Sequence, residues 1–310
     1  MNLKNCKIAV LKGGPGSERA VSLKSAESVI EALILLGAVV CVVDVASAKF
    51  ELPHDVVIAV NMIHGTFGED GELQKILEGR GIAYTGAGVE SSRLAFDKVL
   101  SKEKFIAAGV PTPRSQTLKL DGKDELKLKL PVVVKPPREG SSVGVHIVHT
   151  ETELTAALAD AKKFGPETLV EEFIEGKELT VGLLGDQALP VIHIEPVSGF
   201  YDLSNKYPWL SGTGKTNYHC PADLDAATTA KVQTAAMNAM KALGVEVYGR
   251  ADVMLRADGE PFVIEINTIP GMTVSSLLPK AARAAGIEFP QLCERIIELS
   301  LQARSKAQPA

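Results

Sequence analysis

The chain has 310 residues, 45% of them hydrophobic and 23% charged, and a formal net charge of −5. That length allows two or three packed domains with real cores, and the balance excludes a disordered or collagen-like chain and gives no ground for a basic nucleic-acid-binding face. Cys6, Cys41, Cys220 and Cys293 are scattered without a C-x-x-C pair, so free thiols in a reducing compartment are expected. The polar start and short apolar runs predict a cytoplasmic protein with no signal peptide and no membrane span.

Lys7 to Leu11 reads as a buried strand, and a helix is expected from about Ala20 to Leu36, with Ala26, Val29, Leu33 and Ile34 on one face. Gly37 stops it. Val39 to Val43 and Val56 to Val60 follow as strands, a βαβ pattern that predicts a parallel sheet with helices packed on it. Between the first strand and helix, Gly13-Gly14-Pro15-Gly16-Ser17-Glu18 fails the dinucleotide fingerprint, because Arg19 replaces its last glycine. A glycine-rich helix start still suits a carboxylate or phosphate; a tight turn alone is the equal alternative. Asn61 to Gly71 ends the third strand with a polar loop, at the sheet edge where ligands bind. His64, taken alone, reads as structural.

The chain turns helical around Ser91 to Ala108, then passes through a stiff linker, Gly109 to Pro113. Strands are expected at Leu130–Val134, Val145–Val148 and Leu169–Ile174, with a helix from Thr150 to Phe164. Past Gly176 come strands Leu179–Leu184 and Ala188–Ile194, an irregular stretch from Glu195 to Pro221, a helix over Asp225–Leu243, two strands and two final helices. The fold class is α/β, assembled from three α+β units.

The strongest local signal is GRADVMLRADGEPFVIEINTIPGMTVSS. Val245–Ala257 and Glu260–Asn267 read as a hairpin about a two-residue Asp258-Gly259 turn. Counting back from that turn sets Asp252 opposite Glu265 and Arg250 opposite Asn267, all on one face, while Val253, Leu255, Ile264 and Ile266 point into a core. A three-residue loop would instead put the two pairs on opposite faces. Two carboxylates and an amide suit hard Mg²⁺, a central glutamate can bridge two metals, and an arginine can stabilise a transferring phosphoryl group. A solvated face with cross-strand salt bridges is the bland alternative.

Gly212-Thr213-Gly214-Lys215-Thr216 resembles the end of a P-loop, but Trp209 stands where the first glycine is needed. A better phosphate candidate is Leu130 to Val145, where Lys135 ends a strand and a loop hinged by Gly140 and Gly144 follows. Taken alone, the segment is better explained by an edge-strand lysine beside an ordinary hairpin loop. Leu169 to Glu178 reads as a strand entering a hinge, where adenine could meet the backbone and Glu171, and Glu178 the ribose hydroxyls.

Taken together, GGPGSERAVSL, NMIHGTFGEDG, Asp97-Lys98, VVVKPPREGSSVGV, VEEFIEGKELTVG, FYDLSNKY, NYHCPA, GRADVML and EINTIPGMTVSSL resemble the D-alanine–D-alanine ligases of the ATP-grasp superfamily, nearly end to end. The resemblance implies an ATP-grasp fold preceded by a Rossmann-like domain, divided at 1–96, 97–178 and 179–310. It implies ATP as co-substrate, two Mg²⁺ or Mn²⁺ ions with room for a monovalent cation, a homodimer, and a role in peptidoglycan precursor synthesis. Under it, Lys98, Lys135 and Lys206 serve the nucleotide, with Glu171, Ile174 and Glu178 at its adenine and ribose. Asp252, Glu265 and Asn267 are metal ligands. Arg250 and the Gly271 N–H stabilise the oxyanion. Glu18, Ser141 and Tyr207 form a hydrogen-bonded set, His64 lies near the first carboxylate, and Ser276 and Leu277 anchor the second. The lid, FYDLSNKYPWLSGTGKTNYHCP, is several residues longer than the family spacing. Alternatives are a ligase taking D-lactate or D-serine second, which Tyr207 argues against, and a nucleotide-binding module that has lost catalysis.

Overall fold

A computed structural model describes residues 1–198, 201–206 and 215–307, excepting the side chains at 203, 204, 306 and 307. Tyr207, the P-loop-like Gly212–Gly214 and the middle of the lid, 207–214, lie outside the described residues.

Strands β1 (Lys7–Gly13), β2 (Val39–Val45) and β3 (Ile58–Asn61) form a parallel sheet in the order β2-β1-β3. Ile8, Ala9, Val10 and Leu11 are all fully buried, as a central parallel strand covered on both faces requires. Helix α1 (Arg19–Leu35) covers one face through Ala26, Val29 and Leu33. A helix the sequence reading did not separate, α2 (Glu72–Gly79), follows the polar loop. The helical stretch expected around Ser91–Ala108 is made of two helices, α3 (Val89–Phe96) and α4 (Lys98–Ala107). Asp97 divides them: its backbone is extended, and its carboxylate accepts from Val99 N (3.0 Å) and Leu100 N (3.3 Å), a helix N-cap.

A second, antiparallel sheet runs β4-β7-β5-β6, made of β4 (Ser115–Lys119), β5 (Val132–Lys135), β6 (His146–Val148) and β7 (Glu167–Glu172). Helix α5 (Glu151–Ala161) packs Leu154 and Ala157 on Val132, Val134 and Val170. It starts at a capping box between Thr150 and Glu153 and ends in a 3₁₀ turn over Lys162–Phe164.

The largest sheet is antiparallel, in the order β11-β10-β8-β12-β13 with β9 beside β8. Its strands are β8 (Gly176–Leu184), β9 (Gln187–Ala188), β10 (Ile192–Pro196), β11 (Thr216–His219), β12 (Tyr248–Arg256) and β13 (Pro261–Asn267). The stretch expected to be irregular thus contains β11, the end of β10 and a short helix, α6 (Leu203–Lys206). Helix α7 (Ala226–Leu243) covers β12 and β13; α8 (Leu277–Ala284) lies on β8; α9 (Phe289–Ala307) lies against α1. Val10 and Val29 share one core with Leu278, Leu292 and Ile296, so the chain's two ends are packed together.

The hairpin register needs a correction. Leu255 pairs with Pro261, Gly259 N donates to Arg256 O (2.9 Å) and Arg256 N to Glu260 O (3.0 Å), so the loop has three residues, Ala257 to Gly259. Gly259 sits at φ 82°, the left-handed position this loop type requires. The register then shifts between Asp252 and Val253, where β13 holds one extra residue, Ile264. Loop and bulge cancel, and Asp252 still pairs with Glu265 and Arg250 with Asn267. The cost of the shift falls on Ile264, which leaves the core to line the cleft, while Val263 takes the core position.

All four cysteines are free thiols. Among the described residues no helix is long and apolar enough to cross a membrane.

Candidate active site

Two cavities meet over the exposed face of β12 and β13. The larger, about 650 Å³, opens between the second and third sheets; the smaller, about 310 Å³, opens against the first. Gly140, Ser141, Tyr201, Lys206 and Glu265 line both.

Asp252 anchors the shared face. It receives a two-pronged bond from Arg250 (Nε to Oδ1 2.9 Å, Nη2 to Oδ2 2.8 Å), one from Thr180 Oγ1 (2.8 Å) and one from Asn267 Nδ2 (3.2 Å). Burial opposes the charge on Arg250, but Asp252 outweighs it and raises the guanidinium above its ordinary value. Glu265 stands beside this group, 3.4 Å from Lys98 Nζ. Burial alone would push its carboxyl up; Lys98, Lys206, Lys135 and Arg250 together hold it well below the usual range.

In the larger cavity, Lys98 also donates to Glu139 O (2.7 Å), tying α4 to the loop after β5. Lys135 ends β5 and pairs with Glu171 on β7 at 2.7 Å. Both are buried, and the other oxygen of Glu171 meets Lys102 at 2.8 Å. The Glu171 carboxylate, expected to face adenine, is therefore held between two lysines. Ile174 and Glu178 also line this cavity. Burial pushes Glu178 up to about 7, against the pull of Lys206 and with Asp252 adding to it.

In the smaller cavity, Glu18 at the start of α1 accepts a hydrogen bond from Ser141 Oγ. The fit is tight: a Cβ on Gly140 would come within 2.5 Å of Glu18 Oε2, and one on Gly65 within 2.5 Å of the same atom. Ser141 and Ser142 adopt positive φ (52° and 60°), and Ser142 Oγ donates to Tyr201 O (3.1 Å), so this loop also holds the chain entering the lid. His64 is buried, with Nε2 3.1 Å from Ser25 Oγ and Nδ1 3.6 Å from Glu69 Oε1. Burial raises Glu69, and the bond to His64 opposes it. Ser25 Oγ also accepts from Met272 N (3.2 Å), which ties α1 to the turn that carries Gly271. Ser276 and Leu277 lie at the start of α8, with Ser276 Oγ 2.7 Å from Thr273 Oγ1.

The structure thus gathers Glu18, His64, Arg250, Gly271, Ser276 and Leu277 at one cavity and Lys98, Lys135, Glu171, Ile174, Glu178 and Asp252 at the other, with Ser141, Lys206 and Glu265 at both. Asn267 lines the smaller. Four further residues were not singled out from sequence. Ser25 and Lys102 read as ordinary helix residues and Glu69 as one acid in a polar loop. Tyr201, whose Oη lies 3.0 Å from that of Tyr218, sat within a quoted motif without a role.

Comparison with known proteins agrees with this geometry. Residues 102–298 match the family model for the D-ala D-ala ligase C-terminus. A D-alanine–D-alanine ligase from Methylacidiphilum infernorum is 48% identical over 293 residues, covering 94% of this chain and 95% of the relative. The crystal structure of the D-alanine–D-alanine ligase from Bacillus anthracis superposes with a TM-score of 0.86 at 34% identity, over 98% of this chain and all (100%) of that one. The same enzyme complexed with ATP gives a TM-score of 0.85. The VanG D-Ala:D-Ser ligase from Enterococcus faecalis gives 0.84 at 31% identity, over 96% of this chain and 100% of that one. With this fold, these joined cavities and identity on this scale, the chain belongs to the D-alanine–D-alanine ligase family.

Proposed function

We propose that the protein joins two D-alanines at the expense of ATP, through a D-alanyl phosphate, releasing ADP and phosphate in the service of peptidoglycan precursor synthesis. The observation that carries this is the pair of cavities meeting at Glu265 and Lys206, one long enough for a nucleotide and one sized for small amino acids. A carboxylate is a poor acylating agent, so it must be phosphorylated before an amine attacks it. Such a sequence requires the end of the nucleotide to abut the amino-acid pocket.

In this reading the division at 1–96, 97–178 and 179–310 puts ATP between the second and third units. Lys98, Lys135 and Lys206 neutralise its phosphates, Ile174 and Glu178 hold the adenine and ribose end, and Glu171 serves as counter-ion to the lysines. Asp252, Glu265 and Asn267 fit two Mg²⁺ or Mn²⁺ ions, since all three carry oxygen donors on one face of the β12–β13 pair. The bound ions would supply charge neutralisation on the phosphate oxygens. Glu18 holds the ammonium of the first D-alanine and His64 lies by its carboxylate. That carboxylate attacks the γ-phosphorus, and ADP departs. Ser276 and Leu277 hold the carboxylate of the second D-alanine, whose amine loses a proton to the Glu18–Ser141–Tyr207 set and attacks the acyl carbonyl. Arg250 and the Gly271 N–H receive the negative charge on that oxygen, and phosphate leaves. The lid excludes water, which would otherwise hydrolyse the acyl phosphate.

The similarity to a D-Ala:D-Ser ligase favours one second reading, D-serine in the second position. One assay tests both: MgATP with D-alanine alone, L-alanine, or D-alanine plus D-serine or D-lactate, with ADP release and product mass measured. D-alanyl-D-alanine as the sole product supports the proposal; no ADP release with D-alanine refutes it. A cytoplasmic homodimer is part of the same reading, supported by exposed Ile34, Leu35, Val39 and Val42 at the end of α1 and on the edge strand β2.

A further inference from the structure

Lys102 lies one turn after Lys98 on α4, yet it is almost wholly removed from solvent, with 3% exposure. Its ammonium donates to Thr112 Oγ1 (2.5 Å) and Pro113 O (3.2 Å) and forms an ion pair with Glu171 Oε1 at 2.8 Å. Thr112 Oγ1 in turn donates to Val263 O (2.7 Å), next to the β13 bulge. Lys102 does not line the nucleotide cavity; it stands behind Glu171, which does.

The charges behind the cavity wall decide what Lys135 can offer. Lys135 and Glu171, at 2.7 Å and both buried, sum to zero, and a neutral buried pair attracts a phosphate weakly. Adding Lys102 brings the cluster to +1. We infer that Lys102 is a positioning residue for the nucleotide: by sharing the charge of Glu171 it leaves Lys135 a net positive charge to present to the phosphates. This rests on the assignment of Lys135 to the phosphates.

The titratable groups facing Lys102 are Glu171 from β7 and Lys135 from β5; Lys98, on its own helix, points instead to Glu265. The linker contributes only Thr112 and Pro113. Burial lowers Lys102 to about 8, with Lys135 adding to the fall and Glu171 opposing it. Below that pH the cluster holds +1; above it the lysine is neutral and the cluster falls to zero. Nucleotide affinity therefore weakens as pH rises through this range.

The test is the dissociation constant of MgATP on the full chain, without D-alanine, together with kcat and both KM values. Lys102→Met is expected to weaken MgATP about tenfold, with kcat and the KM for D-alanine within about threefold of the parent. Lys102→Arg, which keeps the charge, restores affinity. The double variant Lys102→Met/Glu171→Gln also recovers affinity relative to Lys102→Met, because it frees Lys135 again; a purely structural lysine would not show this rescue. Unchanged MgATP affinity in Lys102→Met, or equal loss for both substrates, overturns the inference. Should Lys102→Met not fold, the unmodified protein still decides: a constant flat from about pH 7 to about pH 9.5 overturns it, and one that rises through about 8 supports it. Lys135→Met, run in parallel, separates the two readings. Unchanged affinity there overturns the phosphate assignment, whereas weakened binding there with none in Lys102→Met overturns only the role of Lys102.

Discussion

Glu265→Gln removes one negative charge and almost no volume from the wall shared by the two cavities. Glu265 faces four cations, and its nearest, Lys98, lies at 3.4 Å. At an effective dielectric near 20, that separation corresponds to about 5 kcal/mol of Coulomb attraction. Much of it is offset by the dehydration of both groups, and truncating one member of a buried pair leaves a net loss of about 3–5 kcal/mol. The fold, with its separate cores, absorbs a loss of that size as a lowered melting temperature. Catalysis does not absorb it, because the same carboxylate is the proposed ligand that neutralises the ions at the transferring phosphoryl group. Losing one such preorganised interaction costs about 3–4 kcal/mol in the transition state, or about 10²–10³ in kcat. Coupled ADP-release kinetics with MgATP and D-alanine, beside a thermal melt, measure both. A folded variant with kcat within about threefold of the parent would refute the placement of Glu265 at the metal site.

Gly140→Ala would push Glu18 away, since the new Cβ meets Glu18 Oε2 at 2.5 Å, the movable end of a side chain. The melt should not change, while kcat/KM for D-alanine falls at least about tenfold; parent-like kcat/KM disproves the role of the Glu18–Ser141 contact. Glu178, pushed up to about 7 by burial, is largely protonated just below that pH in the free protein. Ribose hydroxyls that donate to it favour the ionised form, so nucleotide binding there should release up to about one proton, a release absent well above that pH. Calorimetry in two buffers of different ionisation heat reads this, and a release that persists in Glu178→Gln would rule out this source. Thr150→Ala opens the capping box of α5 and should cost about 1 kcal/mol in denaturant unfolding without changing kcat; an unaltered midpoint would show that the cap contributes nothing.

The strands, the major helices and most of the site were legible because their signals are local. Burial of β1 shows in an unbroken apolar run. The β12–β13 hairpin was legible by a different route. Its pairings were read from a two-residue turn that the chain does not make, and they hold because Ile264 adds back the residue that the three-residue loop removes. A bulge leaves no mark in a period-two pattern, so Ile264 was misplaced into the core. Lys102 was invisible for a related reason: a lysine four residues after Lys98 on a helix reads as solvated until another sheet is seen to close over it. The carboxylate of Glu171 was assigned outward because nothing in its own segment announces the two lysines that arrive from α4 and β5.

The bond between Ser141 and Glu18 joins a hydroxyl on the nucleotide loop to a carboxylate in the amino-acid pocket, across 123 positions of chain. In the proposed reading, a ligand that stabilises the loop in this position prepares Glu18 for an ammonium group, and an ammonium group seated on Glu18 favours the loop in the same position. Thermodynamic reciprocity makes the two effects equal: whatever factor ATP contributes to D-alanine affinity, D-alanine returns to ATP. In that reading each substrate tightens the binding of the other through this one contact.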